Sequence, residues 1–345
     1  MFEGFYGNPH VVQALGRMVD AERIPHALLL AGPEGVGKAT LARRLASGLL
    51  GHAAQIEKDD LSLPHNVQLV ATREKWPADK RNEDPLLFAS YPDFTTFAPD
   101  GPLRQISIEQ MRLLKERAGF QPSSGRRSVF LIDHVDRANE QAANSLLKTL
   151  EEPPEHLLLI LTAENAYDLL PTIRSRVVLF QLAPLPIGDI EAFLLERRSD
   201  SAPRRAALAM GSPGQAITLD LDLYDKRRAA TFTLLRVAAG LEPFGAWMSY
   251  SEAISRSKTD KLEFYLKVLY VLLRDLLVLK AGSESPRNTD LAGELEVVAQ
   301  RVSIQWIRKA ARKTDELMSL LRRNIQKSIA LDSLILELRG SDSKR

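Results

Sequence analysis

Short apolar runs alternate with amphipathic helical patterns over the first half of the chain. Three of these runs predict buried strands, at residues 26–32 (HALLLAG), 127–133 (RSVFLID) and 157–163 (LLLILTA). Bounded apolar runs separated by helical patterns are typical of a parallel sheet with helices on both faces. The pattern therefore predicts an α/β core over residues 1–182.

Beyond this predicted core the strand-like runs almost vanish. A stretch with two prolines predicts a hinge, followed by a small helical segment over residues 183–221. From residue 222 to 340, apolar residues recur at spacings of three and four, which predicts an all-helical C-terminal domain. Within the core, the polar and proline-marked interval 51–93 is predicted to be a solvated loop.

The amino-acid composition limits the classes of protein to which this chain can belong. The 46 basic and 44 acidic residues give a formal charge of +2, so any contact with DNA must be local. The absence of cysteine excludes disulfides, thiolate catalysis and zinc sites built on sulfur. The N-terminus lacks the features of a secretory signal, and charges interrupt the longest apolar stretch, at residues 264–279. We therefore expect a cytoplasmic protein without membrane contact.

A glycine-rich loop lies between the first predicted strand and the next helical segment. Glycines let the backbone wrap around an anion, and the helix directs its positive end toward it. This order of strand, loop and helix favours a site for ATP or ADP, with Lys38 reaching the phosphates, over a plain glycine turn with a surface lysine. The predicted nucleotide-binding residues are Gly32, Pro33, Glu34, Gly35, Val36, Gly37, Lys38, Ala39, Thr40 and Asp133.

Two positions argue against efficient hydrolysis. The phosphate-loop pattern has Ser or Thr directly after the lysine to hold magnesium, whereas this chain has Ala39, and Thr40 points about 100° away on a helix. Asp133 ends the second predicted strand, where a carboxylate would hold magnesium, although it could also simply end that strand. Hydrolysing P-loop proteins commonly carry a glutamate next, and here it is His134. The sequence leaves open whether the site binds a magnesium ion, and it predicts a weak or inactive ATPase.

Together with these motifs, the segment NEQAANSLLKTLEEPP at residues 139–154 resembles bacterial clamp-loader AAA+ subunits. Segments at residues 23–42, 169–182, 210–217 and 324–338 are similar to the same family. The resemblance implies an AAA+ nucleotide-binding core, a small helical lid, and a helical collar that assembles a pentamer. These parts correspond to residues 1–182, 183–221 and 222–340.

The resemblance also implies a role in DNA replication. It is closest to the delta-prime type of clamp-loader subunit, and the ATP-hydrolysing motor type, called tau or gamma, is the alternative. Motor subunits carry a lid arginine after a Gly-Ser pair, whereas Gly211-Ser212 is followed here by Pro213. The implied partners are tau or gamma and delta subunits in a hetero-pentamer, with the sliding clamp and primed DNA contacted through the complex.

The role of Arg176 is predicted from the family resemblance alone. This resemblance makes Arg176 an arginine finger acting on a neighbouring subunit's ATP site, although from the sequence alone a solvated surface group would be the better interpretation.

Many relatives bind zinc through four cysteines, and this chain has none, so no metal site is predicted. His52 and His65 are interpreted as loop histidines, because two histidines do not complete a tetrahedral shell. No single residue between 162 and 165 can be assigned as the nucleotide sensor.

Overall fold

The computed structural model describes residues 1–257, 260–282, 284–320 and 326–339. The chain divides into two compact units, the first comprising Met1–Phe193 and Gly211–Gln215, the second Leu194–Met210 and Ala216–Arg345. The segment predicted as a lid therefore contributes residues to both units. The three-part division of the chain stays a prediction.

One sheet forms the centre of the first unit. Its strands, in the described residues, are β1 (Ala27–Ala31), β2 (Leu87–Tyr91), β3 (Phe94–Phe97), β4 (Ser128–Ile132), β5 (Leu157–Ala163) and β6 (Val178–Gln181). Their spatial order is β2-β3-β4-β5-β1-β6. All neighbours pair parallel except β2, which joins β3 antiparallel at the edge. The predicted α/β fold is confirmed, and the three predicted strands are β1, β4 and β5.

Helices pack against this sheet and bury its central strands. Every residue of β1, β4 and β5 is buried, as expected for strands with a helix layer on each face. The helices of the first unit are α1 (Pro9–Asp20), α2 (Lys38–Leu50), α3 (Ala53–Ile56), α4 (Pro64–Arg73), α5 (Ala78–Glu83), α6 (Ile108–Ala118), α7 (Glu140–Glu151) and α8 (Pro171–Arg174).

The solvated-loop prediction for residues 51–93 is wrong. This interval forms α3, α4, α5 and β2, and buried charges hold it together. The Arg73 side chain is only 3% exposed and pairs with Asp84 at 3.1 Å and Asp100 at 2.8 Å. Its guanidinium also lies 4.5 Å from the centroid of the Trp76 ring. A polar segment can be ordered in this way because each buried charge has a partner.

The second unit is helical throughout its described residues. Its helices are α10 (Ala202–Leu208), α12 (Leu221–Ala238), α13 (Gly245–Arg256), α14 (Leu262–Ala281), α15 (Ala292–Arg301), α16 (Ile304–Leu320) and α17 (Lys327–Arg339), while α9 (Ile187–Glu196) and α11 (Pro213–Thr218) are divided between the units. The all-helical prediction is confirmed.

The long helix α14 forms the centre of this second core. It packs against α12, α15 and α16, and most of its apolar residues are buried, whereas Leu277 is 42% exposed. Asp275 is fully buried on α14 and accepts hydrogen bonds from the backbone N–H groups of Arg287 and Asn288. No helix in the described part of the chain is long and apolar enough to cross a membrane. The first two residues of the predicted last collar segment, 324 and 325, lie outside the described residues.

Candidate functional site

The glycine-rich loop joins β1 to α2 as predicted, and backbone geometry explains its glycines. Gly35 has φ +75° and Gly37, which precedes the first turn of α2, has φ +101°. Side chains other than glycine rarely adopt these left-handed conformations. A Cβ on Gly37 would also lie 2.9 Å from the Phe5 ring. The loop is anchored where the Gly32 N–H donates to the Ala163 carbonyl oxygen at 3.1 Å.

Lys38 is the buried cation of the loop. Its side chain lies inside the loop, where Nζ donates to the carbonyl oxygens of Gly32 at 2.7 Å and Pro33 at 2.9 Å. Burial lowers the pKa of the Lys38 ammonium, and the nearby Asp133 carboxylate acts in the opposite direction. An ammonium has three donors, and these two carbonyls use two of them. The arrangement places a positive charge and a donor at the start of α2.

Asp133 lies at the carboxyl end of β4, beside a threonine that the sequence does not single out. Thr162 on the neighbouring strand β5 donates its hydroxyl to Asp133 Oδ1 at 2.5 Å. The same hydroxyl accepts the N–H of His134 at 2.8 Å. Thr162 thus fixes the position of the two residues that directly follow β4. The sequence does show a threonine near the end of a buried apolar run. Its contact with Asp133, however, depends on which strand lies beside β5 in the sheet.

The first turn of α2 contains Ala39 and Thr40, both half-buried. The His134 backbone has φ +54°, and its Nδ1 lies 4.0 Å from Asp136 Oδ1. Because β4, β5 and β1 are adjacent and parallel, the glycine loop, Asp133 and Thr162 meet at one edge of the sheet. Ligands of open parallel sheets bind at the carboxyl ends of the strands. This edge is therefore the candidate site for an anionic ligand.

Arg176 lies apart from the loop, between α8 and β6. Its guanidinium pairs with Glu151 Oε1 at 2.8 Å and donates to the Thr172 carbonyl oxygen at 2.9 Å. The side chain is about one-third exposed. Nearby, the Arg174 guanidinium lies 5.0 Å from the centroid of the Tyr167 ring, which is 78% exposed. Arg176 thus contacts α7 and α8 and is accessible from solvent.

Comparison with known proteins identifies the family. A family model described as DNA polymerase III, delta subunit, matches residues 7–186, which is just over half of the chain. The chain belongs to this family. The resemblance to bacterial clamp-loader AAA+ subunits that the motifs indicated is thereby confirmed.

Curated relatives of the chain include proteins named DNA polymerase III subunit tau and subunit gamma. The chain is 32% identical to the DNA polymerase III subunit tau of Escherichia coli (strain K12) over 226 residues, which is 63% of this chain and 32% of that protein. It is 32% identical to subunit gamma of Buchnera aphidicola subsp. Schizaphis graminum over 194 residues, 56% of this chain and 48% of that protein. The chain thus spans a third to a half of the length of these relatives.

A solved structure covers more of the chain but with low similarity. A gamma subunit-related protein of DNA polymerase III from Thermotoga maritima matches 94% of this chain and 98% of its own, at 19% identity and a TM-score of 0.37. The relatives named tau and gamma do not separate a delta-prime subunit from a motor subunit.

The chain has no cysteine, so a zinc ion would need histidine or carboxylate ligands. Among the described residues, no group of three or more His, Cys, Asp or Glu side chains is arranged to hold a metal ion. His52 stacks on the Tyr91 ring with centroids 4.5 Å apart, and His65 lies in the first turn of α4. The absence of zinc, like each assigned site residue, stays a prediction.

Proposed function

We propose that the chain is a delta-prime-type subunit of the bacterial DNA polymerase III clamp loader. In this function it binds ATP or ADP in the loop at residues 32–40, hydrolyses ATP poorly, and helps to load the sliding clamp onto primed DNA. Its partners are tau or gamma and delta subunits in a cytoplasmic hetero-pentamer, which the C-terminal helices join.

One observation carries this proposal: the phosphate loop is complete while the groups for hydrolysis are not. Loop amides, the positive end of α2 and the Lys38 ammonium together suit a phosphate chain. Ala39 offers no hydroxyl for magnesium, and His134 replaces the expected glutamate. Binding without efficient turnover follows, because grip on the phosphates and activation of water depend on different residues.

The chemical contribution of this chain then lies in a neighbour's site. An arginine that approaches the γ-phosphate across a subunit boundary stabilises the negative charge that develops during phosphoryl transfer. Arg176 suits this role because its guanidinium is accessible and held only by surface contacts. Within the chain's own site, Asp133 would hold a magnesium ion, with Thr162 keeping the carboxylate in place.

The test is a calorimetric titration of the full chain with ADP and with ATP, beside the variant Lys38→Ala. We expect binding by the wild type and none by the variant. Equal affinities would contradict the proposal, because the nucleotide would then bind elsewhere. ATP turnover of the isolated chain is measured in parallel and is expected to be far below that of a motor subunit.

The second candidate is an ATP-hydrolysing motor subunit of the tau or gamma type. The observation in its favour is that the curated relatives quoted above carry those names at 32% identity. Turnover separates the two candidates. An isolated chain that hydrolyses ATP as fast as a motor subunit would support the second candidate and rule out the first.

A further inference from the structure

The segment Gly211–Gln215, here called the clasp, lies in the same compact unit as the phosphate loop and is bonded directly to it. The Ser212 hydroxyl donates to the Glu34 carbonyl oxygen at 2.6 Å, and Gln215 Nε2 donates to the same oxygen at 3.2 Å. The Gly214 N–H donates to the Gly35 carbonyl oxygen at 2.9 Å. Three donors of the clasp thus hold two successive carbonyl groups of the loop.

The clasp can lie this close only because of its own glycines. Gly211 has φ +84°, and a Cβ there would lie 2.4 Å from Pro184 Cβ. A Cβ on Gly214 would lie 3.0 Å from the Gly35 carbonyl oxygen, tighter than an ordinary contact. The Leu185 N–H donates to the Gly211 carbonyl oxygen at 2.8 Å and fixes the start of the clasp. A side chain at Gly214 would push the clasp away from the loop, and one at Gly211 would displace the start of the clasp from Pro184 and Leu185.

The hydrogen bonds of the clasp determine where the loop amides point. In a trans peptide the C=O and N–H bonds point in opposite directions. Because the Glu34 carbonyl points at the clasp, the Gly35 N–H of the same peptide points away from it. Glycine permits such a peptide to rotate, since it adopts positive and negative φ about equally. The clasp removes that freedom and leaves one orientation of the amide available to an anion.

We propose that Ser212 and Gln215 are positioning residues for the bound nucleotide. They hold the peptides around Gly35 in the orientation that a phosphate needs, so the loop does not have to be ordered when the nucleotide binds. The resemblance implies an arginine in this region of motor subunits, and the clasp stabilises the loop without one. This inference rests on the proposed binding of ATP or ADP in the loop.

The experiment measures ADP affinity of the full chain by calorimetry for Ser212→Ala, Gln215→Ala and the double variant. A neutral hydrogen bond contributes about 0.5–1.5 kcal/mol, which corresponds to a factor of about 2 to 10 in affinity. We expect each single variant to weaken ADP binding by about that factor and the double variant by about tenfold or more. Ser212→Thr, which keeps the hydroxyl, is expected to restore affinity.

A matched control and a second measurement separate positioning from general stability. Thr314 is buried like Ser212 and also donates its hydroxyl to a backbone carbonyl, at 2.8 Å on α16, so Thr314→Ala removes a similar bond and should leave ADP affinity unchanged. Hydrogen–deuterium exchange of the backbone amides of residues 34–37 should accelerate in the clasp variants and not in the control. Gln215 is only half-buried, so its variant is available if Ser212→Ala folds poorly.

The outcomes distinguish this inference from the proposed function. If the wild type binds ADP, Lys38→Ala does not, and the clasp variants bind as the wild type does, the positioning role is overturned. Tighter ADP binding by the clasp variants would also overturn it, since the clasp would then obstruct the loop. If the wild type binds no nucleotide, the proposed function fails and the positioning role fails with it.

Discussion

The ion pair between Arg176 and Glu151 allows the proposed arginine finger to be tested from both partners. The pair joins Nη2 of the arginine to Oε1 of the glutamate at 2.8 Å, and the two side chains are 35% and 49% exposed. In the proposed complex, Arg176 must leave Glu151 to reach a neighbour's nucleotide. The strength of this pair therefore determines how easily the finger is released.

Exposure makes the pair weak. An ion pair in solvent contributes about 0.2–1 kcal/mol, because water screens both charges. At about 1.4 kcal/mol for each factor of ten, breaking this ion pair costs at most about a factor of five. Loss of a finger arginine, in contrast, costs on the order of 10³ in rate at the site it serves. Glu151→Ala and Arg176→Ala should therefore differ by about two orders of magnitude at that site.

The assay is the DNA-stimulated ATPase rate of the reconstituted complex that contains each variant. We expect Glu151→Ala to change the rate by no more than about fivefold, and Arg176→Ala to abolish the contribution of the adjacent site while folding and assembly stay intact. Arg174→Ala is the matched control, since Arg174 stacks on Tyr167. Wild-type rates with Arg176→Ala would refute the trans-acting role. A loss with Glu151→Ala as large as that with Arg176→Ala would refute the weak-pair estimate.

Four further predictions concern the first unit. Lys38→Ala should abolish ADP binding, measured by calorimetry, and leave the thermal midpoint of unfolding unchanged. Burial of the protonated lysine is itself unfavourable, as its lowered pKa indicates, so its removal should not destabilise the fold; a large fall in the midpoint would contradict this. Ala39→Thr combined with His134→Glu should raise ATP turnover of the isolated chain, measured as phosphate release, and an unchanged rate would locate the defect elsewhere. Prolonged treatment with a chelator should leave the unfolding curve unchanged, since we expect the charge pairs of Arg73 to stabilise residues 51–93 without a metal; a fall in stability would contradict this. Arg73→Met should lower the free energy of unfolding by about 3 kcal/mol in a denaturant titration, because it leaves the buried Asp100 carboxylate without its partner; a neutral effect would show that the pair is dispensable.

The sequence by itself determined the features that contiguous residues encode. Strands β1, β4 and β5 are continuous apolar runs, because a strand buried on both faces has no polar side. The phosphate loop was predictable for a related reason, since strand, loop and helix follow one another directly and the glycines at 35 and 37 serve local backbone conformations. The helical C-terminal region followed from periodicity alone. In each case, the residues from which the feature is predicted lie close together in the sequence.

The edge strands required the tertiary structure. Strand β6 has four residues, and three of them are exposed, so no apolar alternation marks it. Its position follows from pairing with β1, whose residues lie about 150 positions earlier in the chain. Strand β2 is likewise short and pairs with β3 around a register shift. Short strands of mixed polarity are specified by their neighbours rather than by their own pattern.

The polar contacts of the site also depended on the tertiary structure. Thr162 meets Asp133 only because β5 lies beside β4, and Ser212 reaches Glu34 from 178 residues away. Buried Arg73 finds Asp100 across 27 residues in a segment whose composition alone indicates a solvated loop. Hydrophobic periodicity encodes which face of a local segment is buried, whereas a buried charge or hydroxyl is stable only with a specific partner. The identity of that partner is decided when distant parts of the chain are brought together by the fold.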